Sequence, residues 1–412
     1  MIQKKLYRAL ENIASKHFNT EKELLTEILE ELINDPRTDI LGGRVWQLDS
    51  VEHTYRLYFQ CGKVQKIPKY FALKIEDYPV FDKITEERTI LASETNETLI
   101  SKGIFKYSAS GVGSKIRVNG NRYYEYLIAL NSNEIGNDLR YTLNIVATVL
   151  TSKLHERKIA QSQQSLIADL DKAKQLQKSI LPEHEYRFHN YDIFGVTIPA
   201  EIIGGDFYDY LKIGDEEDRL GVVVGDAASK GIAAAAEAMY ISGAVRMAST
   251  FQMKISPMMN RLNQLINKIF SDDKFATLFY GELSNDKKGL FLYASAGHNP
   301  PMFYSKYKNK ISYLQPTGPL VGPAPNSKYE TDSINFYNGD ILVIYTDGVV
   351  ESANHKYEFY EEKRLEKIIK KNVDKTPKEI VALILDDVIK FSTTESKYVD
   401  DKTIVVIKRK DR

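Results

Sequence analysis

One cysteine, Cys61, occurs in 412 residues. An internal disulfide and any multi-cysteine metal site are thereby excluded. No stretch approaches the ~18 consecutive apolar residues that a membrane span requires. The opening segment MIQKKLYRAL (Met1–Leu10) carries charges with no apolar run after them, so no signal peptide is expected. An excess of one charge is also missing, since 56 Lys+Arg stand against 56 Asp+Glu. A balanced chain has no electrostatic footprint for nucleic acid or an anionic membrane, and neither is expected as a partner. What is present, 43% hydrophobic and 27% charged residues, is the profile of a soluble globular protein rather than a disordered one. The expected location is the cytoplasm.

The length allows two or three domains. Residues 1–150 read as a small α/β domain. Helical periodicity runs through Leu6, Leu10, Ile13 and then Leu24, Leu25, Ile28, Leu29, Leu32. Thr20 is the expected N-cap of the second helix, with Glu23 three residues on. Strands are expected at Gly43–Leu48, Tyr55–Phe59 and Tyr123–Leu130, with turns at Gly111–Gly113 and at Asn119–Gly120, an Asn-Gly hairpin signal. Helical spacing returns at Leu139, Leu143, Val146 and Leu150 and continues through Ile159, Leu166, Leu170, Ala173, Gln177 and Ile180. The two registers miss by one residue, which shifts the seam near Lys153–Arg157. Residues 151–182 are therefore expected to be a helical, coiled-coil-like linker ended by Pro182. The plainer reading is one long helix packed on its own domain.

Residues 190–410 read as a second α/β (α+β) domain. Strands are expected at Tyr191–Pro199, Arg219–Val224, Ala276–Leu283, Leu290–Ala294, Ile341–Tyr345 and Thr403–Lys408. Expected helices are Ile232–Ser249, Ser256–Phe270, Glu361–Lys371 and Pro377–Phe391. The hairpin-length gap between Leu283 and Leu290 argues for antiparallel pairing.

Four aspartates stand beside strands or turns: Asp206 after Gly204–Gly205, Asp226 after Val222–Gly225, Asp347 after Ile341–Thr346, and Asp400 just before the last strand. An acid at a strand end lies at the rim of its sheet. Several rims that meet would crowd like charges, and the usual compensation is a hard divalent cation such as Mg²⁺ or Mn²⁺. Each residue also has a plainer reading. Asp347–Gly348 is a turn pair, Asp226 is a helix cap, and Gly204–Gly205 is a bulge. Spacing alone does not bring the four together. Gly225–Gly231 (GDAASKG) is no phosphate loop, because Lys230 is followed by Gly231 and not by Ser or Thr. His298, in AGHNP, is read first as a structural histidine bonded to nearby groups.

Taken in order, these motifs resemble the PPM family of metal-dependent serine/threonine phosphatases, in its bacterial SpoIIE/RsbU-like branch. The resemblance is carried by AKQLQKSILP (Ala173–Pro182), PAEIIGGDFYD (Pro199–Asp209), VVVGDAASKGIAAAAEAM (Val222–Met239), FATLFYGEL (Phe275–Leu283), YASAGHNPP (Tyr293–Pro301), GDILVIYTDGVVES (Gly339–Ser352) and DDKTIVVIK (Asp400–Lys408). It implies an αββα sandwich. It also implies that Asp226 bridges two Mn²⁺ or Mg²⁺ ions, with the Ala227 carbonyl on one of them. Asp347 and Asp400 would hold the first ion and Asp206 would serve the second. Catalysis would run through a metal-activated water. Ala228–Ser229, Ile202 and Tyr360 depart from the family pattern, and Ser229 adds a side chain beside the bridging aspartate. The first domain resembles a GAF sensor through its opening helices, GRVWQLD (Gly43–Asp49), the late strand at Tyr126–Leu130 and the exit helix. The implied function is a sensor-controlled protein phosphatase acting on a phosphorylated anti-sigma-factor antagonist of the STAS type. The implied assembly is a homodimer through the linker helix and the GAF-like domain, with an unidentified sensor ligand or upstream partner. The alternative is a catalytically inactive phosphatase-like module that sequesters the phosphorylated partner.

Overall fold

The computed structural model describes residues 18, 20–34, 40–101, 106–132, 136–214, 218–270, 274–393 and 399–410. The helix expected around Leu6–Ile13 lies outside them. The chain divides into two compact units, Met1–Leu166 and Ile167–Arg412.

In the first unit, strands β1 (Ile40–Asp49), β2 (Thr54–Gly62), β3 (Ala72–Lys74), β4 (Thr89–Ser93), β5 (Lys106–Val118) and β6 (Asn121–Ser132) form one antiparallel sheet. Their order is β3-β2-β1-β6-β5-β4. Alternate residues point to opposite faces. Val45 and Ile128 therefore pack with helix α1 (Glu21–Asn34) and with Leu143, Val146, Leu150 and Leu154 of the long helix α4 (Asn137–Ile180). Their neighbours Trp46 and Leu127 pack on the other face with Phe81 and Ile84 of helix α2 (Val80–Glu87) and Leu99 of α3 (Glu97–Ser101). Thr20 caps α1, its hydroxyl accepting the Glu23 N–H at 3.0 Å. Asn119 and Gly120, both at positive φ, make the tight β5–β6 turn. The segment Gly111–Gly113 is not a turn but the middle of β5, where the pairing with β6 shifts between Val112 and Lys115. Gly113 absorbs that irregularity at φ +84°. Burial and the Glu30 charge push the Cys61 thiol up to about 11, so it stays a thiol near neutral pH.

Helix α4 is continuous from Asn137 to Ile180. Its buried residues end at Leu154, while Ile159, Leu166, Ile167 and Leu176 are exposed.

The second unit is built from two antiparallel sheets. One runs in the order β15-β12-β11-β10-β9, with β9 Asp206–Ile213, β10 Arg219–Ala227, β11 Ala276–Ser284, β12 Leu290–Ala296 and β15 Asp332–Asn335. The other runs β14-β13-β16-β17-β8-β7, with β7 Glu185–Phe188, β8 Tyr191–Ile198, β13 Met302–Ser305, β14 Lys310–Tyr313, β16 Ile341–Tyr345 and β17 Lys402–Arg409. Tyr208, Val222, Val224, Phe279 and Phe291 meet Leu342, Ile344, Val405 and Ile407 between the sheets. Val223 and Leu278 turn the other way, onto Ile241 and Val245 of α5 (Gly231–Thr250) and Met259 and Leu262 of α6 (Ile255–Ile269). Beyond the second sheet, Val343, Ile404 and Val406 pack on Leu365 and Ile369 of α8 (Glu362–Lys371) and on Ile384 and Val388 of α9 (Pro377–Phe391). The result is an αββα sandwich. Coverage on both faces explains why β10 and β16 read as unbroken apolar runs. Strand β9 is not among the strands expected from the sequence. Its Asp-Phe-Tyr-Asp pattern hides a strand buried at seven of eight positions, only Lys212 being exposed.

Candidate functional site

The four aspartates come together at one end of the sandwich. Asp226 stands near the end of β10, directly opposite Asp206 on β9 and Thr277 on β11. Asp347 opens the one-turn helix α7 (Asp347–Val350) that follows β16. Asp400 precedes β17. Because β16 and β17 pair, the second sheet delivers Asp347 and Asp400 to the same rim. Asp226 is therefore a strand residue and not a helix cap, since α5 begins five residues later with Lys230 as its N-cap.

The electrostatics record the convergence. Burial, then the charges of Asp347, Asp400 and Asp401, push the Asp226 carboxyl up to about 7. Burial, with Asp226 and Asp401, raises Asp206 well above the carboxylate range. Asp347 is raised by burial, Glu351 and Asp400. Crowded like charges and desolvation both disfavour ionisation. One cation is already at the rim, for the Lys230 ammonium stands 3.7 Å from Asp400.

Asp401, absent from the sequence-based site, organises the loop that carries Asp206. One carboxylate oxygen accepts the Ala200 N–H at 2.7 Å. The other accepts those of Gly205 at 2.6 Å and Asp206 at 3.3 Å. The signal was present: in a doublet entering a strand, side chains alternate, so Asp400 faces out while Asp401 is buried. Thr346 ties the two sheets. Its hydroxyl donates to Asp206 at 2.7 Å and accepts the Thr403 N–H at 2.9 Å. Gly348 has to be glycine, because a Cβ there would collide with the Asp401 carbonyl.

Ser229 does not enter the cluster. Its hydroxyl donates to Glu237 at 2.9 Å and receives the Lys274 ammonium, which itself pairs with Glu237 at 2.9 Å. His298 is buried, its Nδ1 2.9 Å from the Thr277 hydroxyl, and burial holds it down to about 3, hence neutral.

Among the described residues, no group of three or more His, Cys, Asp or Glu side chains could hold a metal ion as it stands. The donor chemistry nevertheless fits a hard divalent cation. The crowded side chains are all carboxylates, with raised pKa values that a cation would relieve. Ala227 adds its backbone to the same strand end, its N–H bonding the Gly205 carbonyl at 3.3 Å. Carboxylate, carbonyl and water oxygens are what Mg²⁺ and Mn²⁺ take.

The sequence profile of the family described as Stage II sporulation protein E (SpoIIE) matches residues 216–410. Phosphoserine phosphatase RsbU of Bacillus subtilis (strain 168) is 27% identical over 248 residues, 60% of this chain and 72% of RsbU. Protein IcfG of Synechocystis sp. (strain ATCC 27184 / PCC 6803 / Kazusa) is 28% identical over 340 residues, 75% of this chain but only 50% of IcfG. The solved SiaA-PP2C domain of Pseudomonas aeruginosa superposes with a TM-score of 0.51 at 18% identity, over 60% of this chain and 98% of that domain, a likeness of fold. Residues 216–410 thus match a SpoIIE-type domain, and the chain is similar to RsbU.

Proposed function

We propose that the protein is a metal-dependent protein serine/threonine phosphatase whose centre is Asp206, Asp226, Ala227, Asp347 and Asp400. The observation that carries this reading is the convergence of carboxylates from both sheets on one rim, with Asp226 held up to about 7 by burial and then by its acidic neighbours. Asp206, Asp226, Asp347, Asp400 and the Ala227 carbonyl would together hold the Mn²⁺ or Mg²⁺ ions. Such ions, when bound, supply positive charge for the phosphoryl oxygens and lower the pKa of a coordinated water. The chain's own part is to hold the carboxylates in place. Asp401 fixes the Gly205–Asp206 backbone, and Thr346 orients the Asp206 carboxylate. Asp226 and Asp347 are the catalytic residues in this scheme, acting through the water.

The substrate proposed is a phosphoserine or phosphothreonine on an anti-sigma-factor antagonist of the STAS type, in line with the phosphoserine phosphatase RsbU. The N-terminal unit is proposed as a GAF-like sensor, and the exposed apolar stripe Ile159–Leu166–Leu176 as the seam of a parallel homodimer. Control would pass through the end of α4. The Gln177 side chain donates to the Gly204 carbonyl at 2.6 Å and accepts the Gly204 N–H at 3.3 Å, two residues from Asp206.

The test is phosphate release from an aryl phosphate, with and without Mn²⁺, by the wild type and by Asp226→Asn and Asp347→Asn. Turnover that needs Mn²⁺ and disappears in both variants supports the reading. A folded wild type without turnover on this substrate or on a phosphorylated STAS protein, yet binding the latter, would replace it with a sequestering module.

A further inference from the structure

Exposed apolar side chains border the carboxylate rim on two sides, and the carboxylate centre uses none of them. On one side is the loop that Asp401 holds through the Ala200, Gly205 and Asp206 N–H groups. Ile202 stands between those anchors and is 42% exposed. The start of α5 lies beside that loop, since a Cβ on Gly231 would come 3.6 Å from the Glu201 carboxylate. Ile232, in the first turn of α5, is 57% exposed. Lys230, two residues before it, reaches Asp400 at 3.7 Å.

On the other side, a hairpin grows out of the segment that carries Asp347. The Glu351 N–H donates to the Asp347 carbonyl at 2.8 Å, and the Ser352 hydroxyl to the Gly348 carbonyl at 2.7 Å. Ala353 then bridges Phe359. Asn354 fixes the turn between them. Its side-chain oxygen accepts the Lys356 and Glu358 N–H groups at 2.8 and 3.1 Å, and its carbonyl accepts the Tyr357 N–H at 3.0 Å. Tyr357 stands at the tip at φ +63° and is 67% exposed. A bulky residue rarely takes that conformation, and glycine takes it freely. A ring two-thirds in solvent returns little packing for the strain. Strain of this kind concentrates where a side chain serves a function.

These positions fall within one protein footprint. A standard interface covers about 800 Å² of each partner, a disc of about 16 Å radius. The hairpin tip is three to four residues from its root, about 10–13 Å. Ile202 is four residues from Asp206 on a loop folded back around Asp401, and Ile232 is six residues from Asp226. A folded protein that delivers a phosphoserine to the rim covers all three, whereas an aryl phosphate at the rim does not reach the hairpin tip.

We propose that Ile202, Ile232 and Tyr357 form the docking face that selects a folded phosphoprotein with an apolar surface around its phosphoserine. The proposal rests on the phosphatase reading. It adds that selection runs through apolar burial beside the centre, where aromatic and aliphatic side chains contribute most to protein recognition.

The experiment compares kcat/KM on a phosphorylated STAS-domain protein, on a phosphoserine peptide cut from it, and on an aryl phosphate. The full-length protein is used with Mn²⁺. Ile202→Ser, Ile232→Ser and Tyr357→Gly should each lower the ratio of phosphoprotein to aryl phosphate kcat/KM about tenfold, mainly through KM. The peptide should be at least tenfold poorer than the folded protein. Met247→Ser is the control. Met247 is exposed on the same helix, 15 residues beyond Ile232 and so about 22 Å further along α5, and its loss should leave the ratio within twofold. Tyr357→Gly relieves the strained position, so its Tm should hold or rise by up to about 3 °C while recognition falls. Ratios within twofold of the wild type in all three variants would overturn the proposal. So would an equal loss in Met247→Ser, or a peptide as good as the protein. A wild type without aryl phosphatase activity would instead remove the phosphatase reading. The same variants are then compared by calorimetric Kd for the phosphoprotein, where a tenfold weakening supports the docking face and unchanged or absent binding overturns it.

Discussion

Asp226→Asn in metal-free protein is the sharpest probe of the carboxylate cluster. The Asp226 carboxyl is raised from an ordinary 3.8 to about 7, by burial first and then by Asp347, Asp400 and Asp401. The unfolded chain releases that proton near 3.8, while the folded chain holds it until about 7. The folded state thus binds more protons between those values, and its stability falls as pH rises through them. At 1.36 kcal/mol per pH unit the loss has a ceiling of about 4 kcal/mol, roughly 2–3 of it between pH 5 and pH 8. Asp206 and Asp347 are raised too and act in the same direction. Asparagine has nothing to ionise, so the variant should escape its share of the loss. Calorimetric melts in EDTA at pH 5, 6.5 and 8 should show Asp226→Asn gaining on the wild type as pH rises. For a unit of this size each kcal/mol is about 2–4 °C, so a gain of about 4–10 °C at pH 8 over pH 5 is expected. A difference between the two proteins that is flat in pH, or a variant that loses ground at pH 8, would mean the carboxylates do not crowd one another.

Two further substitutions test what holds the rim together. Asp401→Ala leaves the N–H groups of Ala200, Gly205 and Asp206 without their acceptor. At about 1–3 kcal/mol for each buried donor unmatched, urea unfolding should show a loss of about 3–5 kcal/mol, with Asp401→Asn milder. Arg246→Met removes the guanidinium that donates to buried Asp209 and to the Ile180 carbonyl at the end of α4. A buried carboxylate left unpaired costs about 3–5 kcal/mol, most of which Asp209→Asn in the same chain should restore in the same unfolding assay.

What the sequence made legible at this site follows a simple physical rule. An apolar strand covered on both faces ends where its first acid appears. Ile341–Tyr345 thus pointed to Asp347 and Val222–Val224 to Asp226, whereas the acid nearest Thr403–Lys408 is Asp401, with Asp400 the outer member of the doublet. The αββα layering was implied by the family resemblance, periodicity alone marking only the individual strands and helices. Asp206 was harder. It opens a strand whose inner positions include a second acid, Asp209, and that strand reads as polar only because its partner Arg246 lies on a helix 37 residues away.

Convergence itself had no local signature. Asp206 and Asp226 face each other because β9 and β10 pair in one register, and a slip of one residue would turn either carboxylate to the opposite face. Asp347 and Asp400 arrive from the other sheet, and the sheets are tied at the rim by the Thr346 hydroxyl on the Asp206 carboxylate and by the Asp401 carboxylate on the Gly205 and Asp206 N–H groups. Thr346 sits in the motif as an unremarkable residue between a tyrosine and an aspartate. Its hydroxyl is spent twice, donating to the Asp206 carboxylate and accepting from the Thr403 backbone. That double use makes Thr346, with Asp401, set the spacing of the two sheets at the rim. A centre assembled in this way is sensitive to small shifts of the Gly204–Asp206 loop, which is held from one side by Asp401 and from the other by Gln177 at the end of α4. The same geometry that brings the carboxylates together therefore provides the place where a helix could alter them.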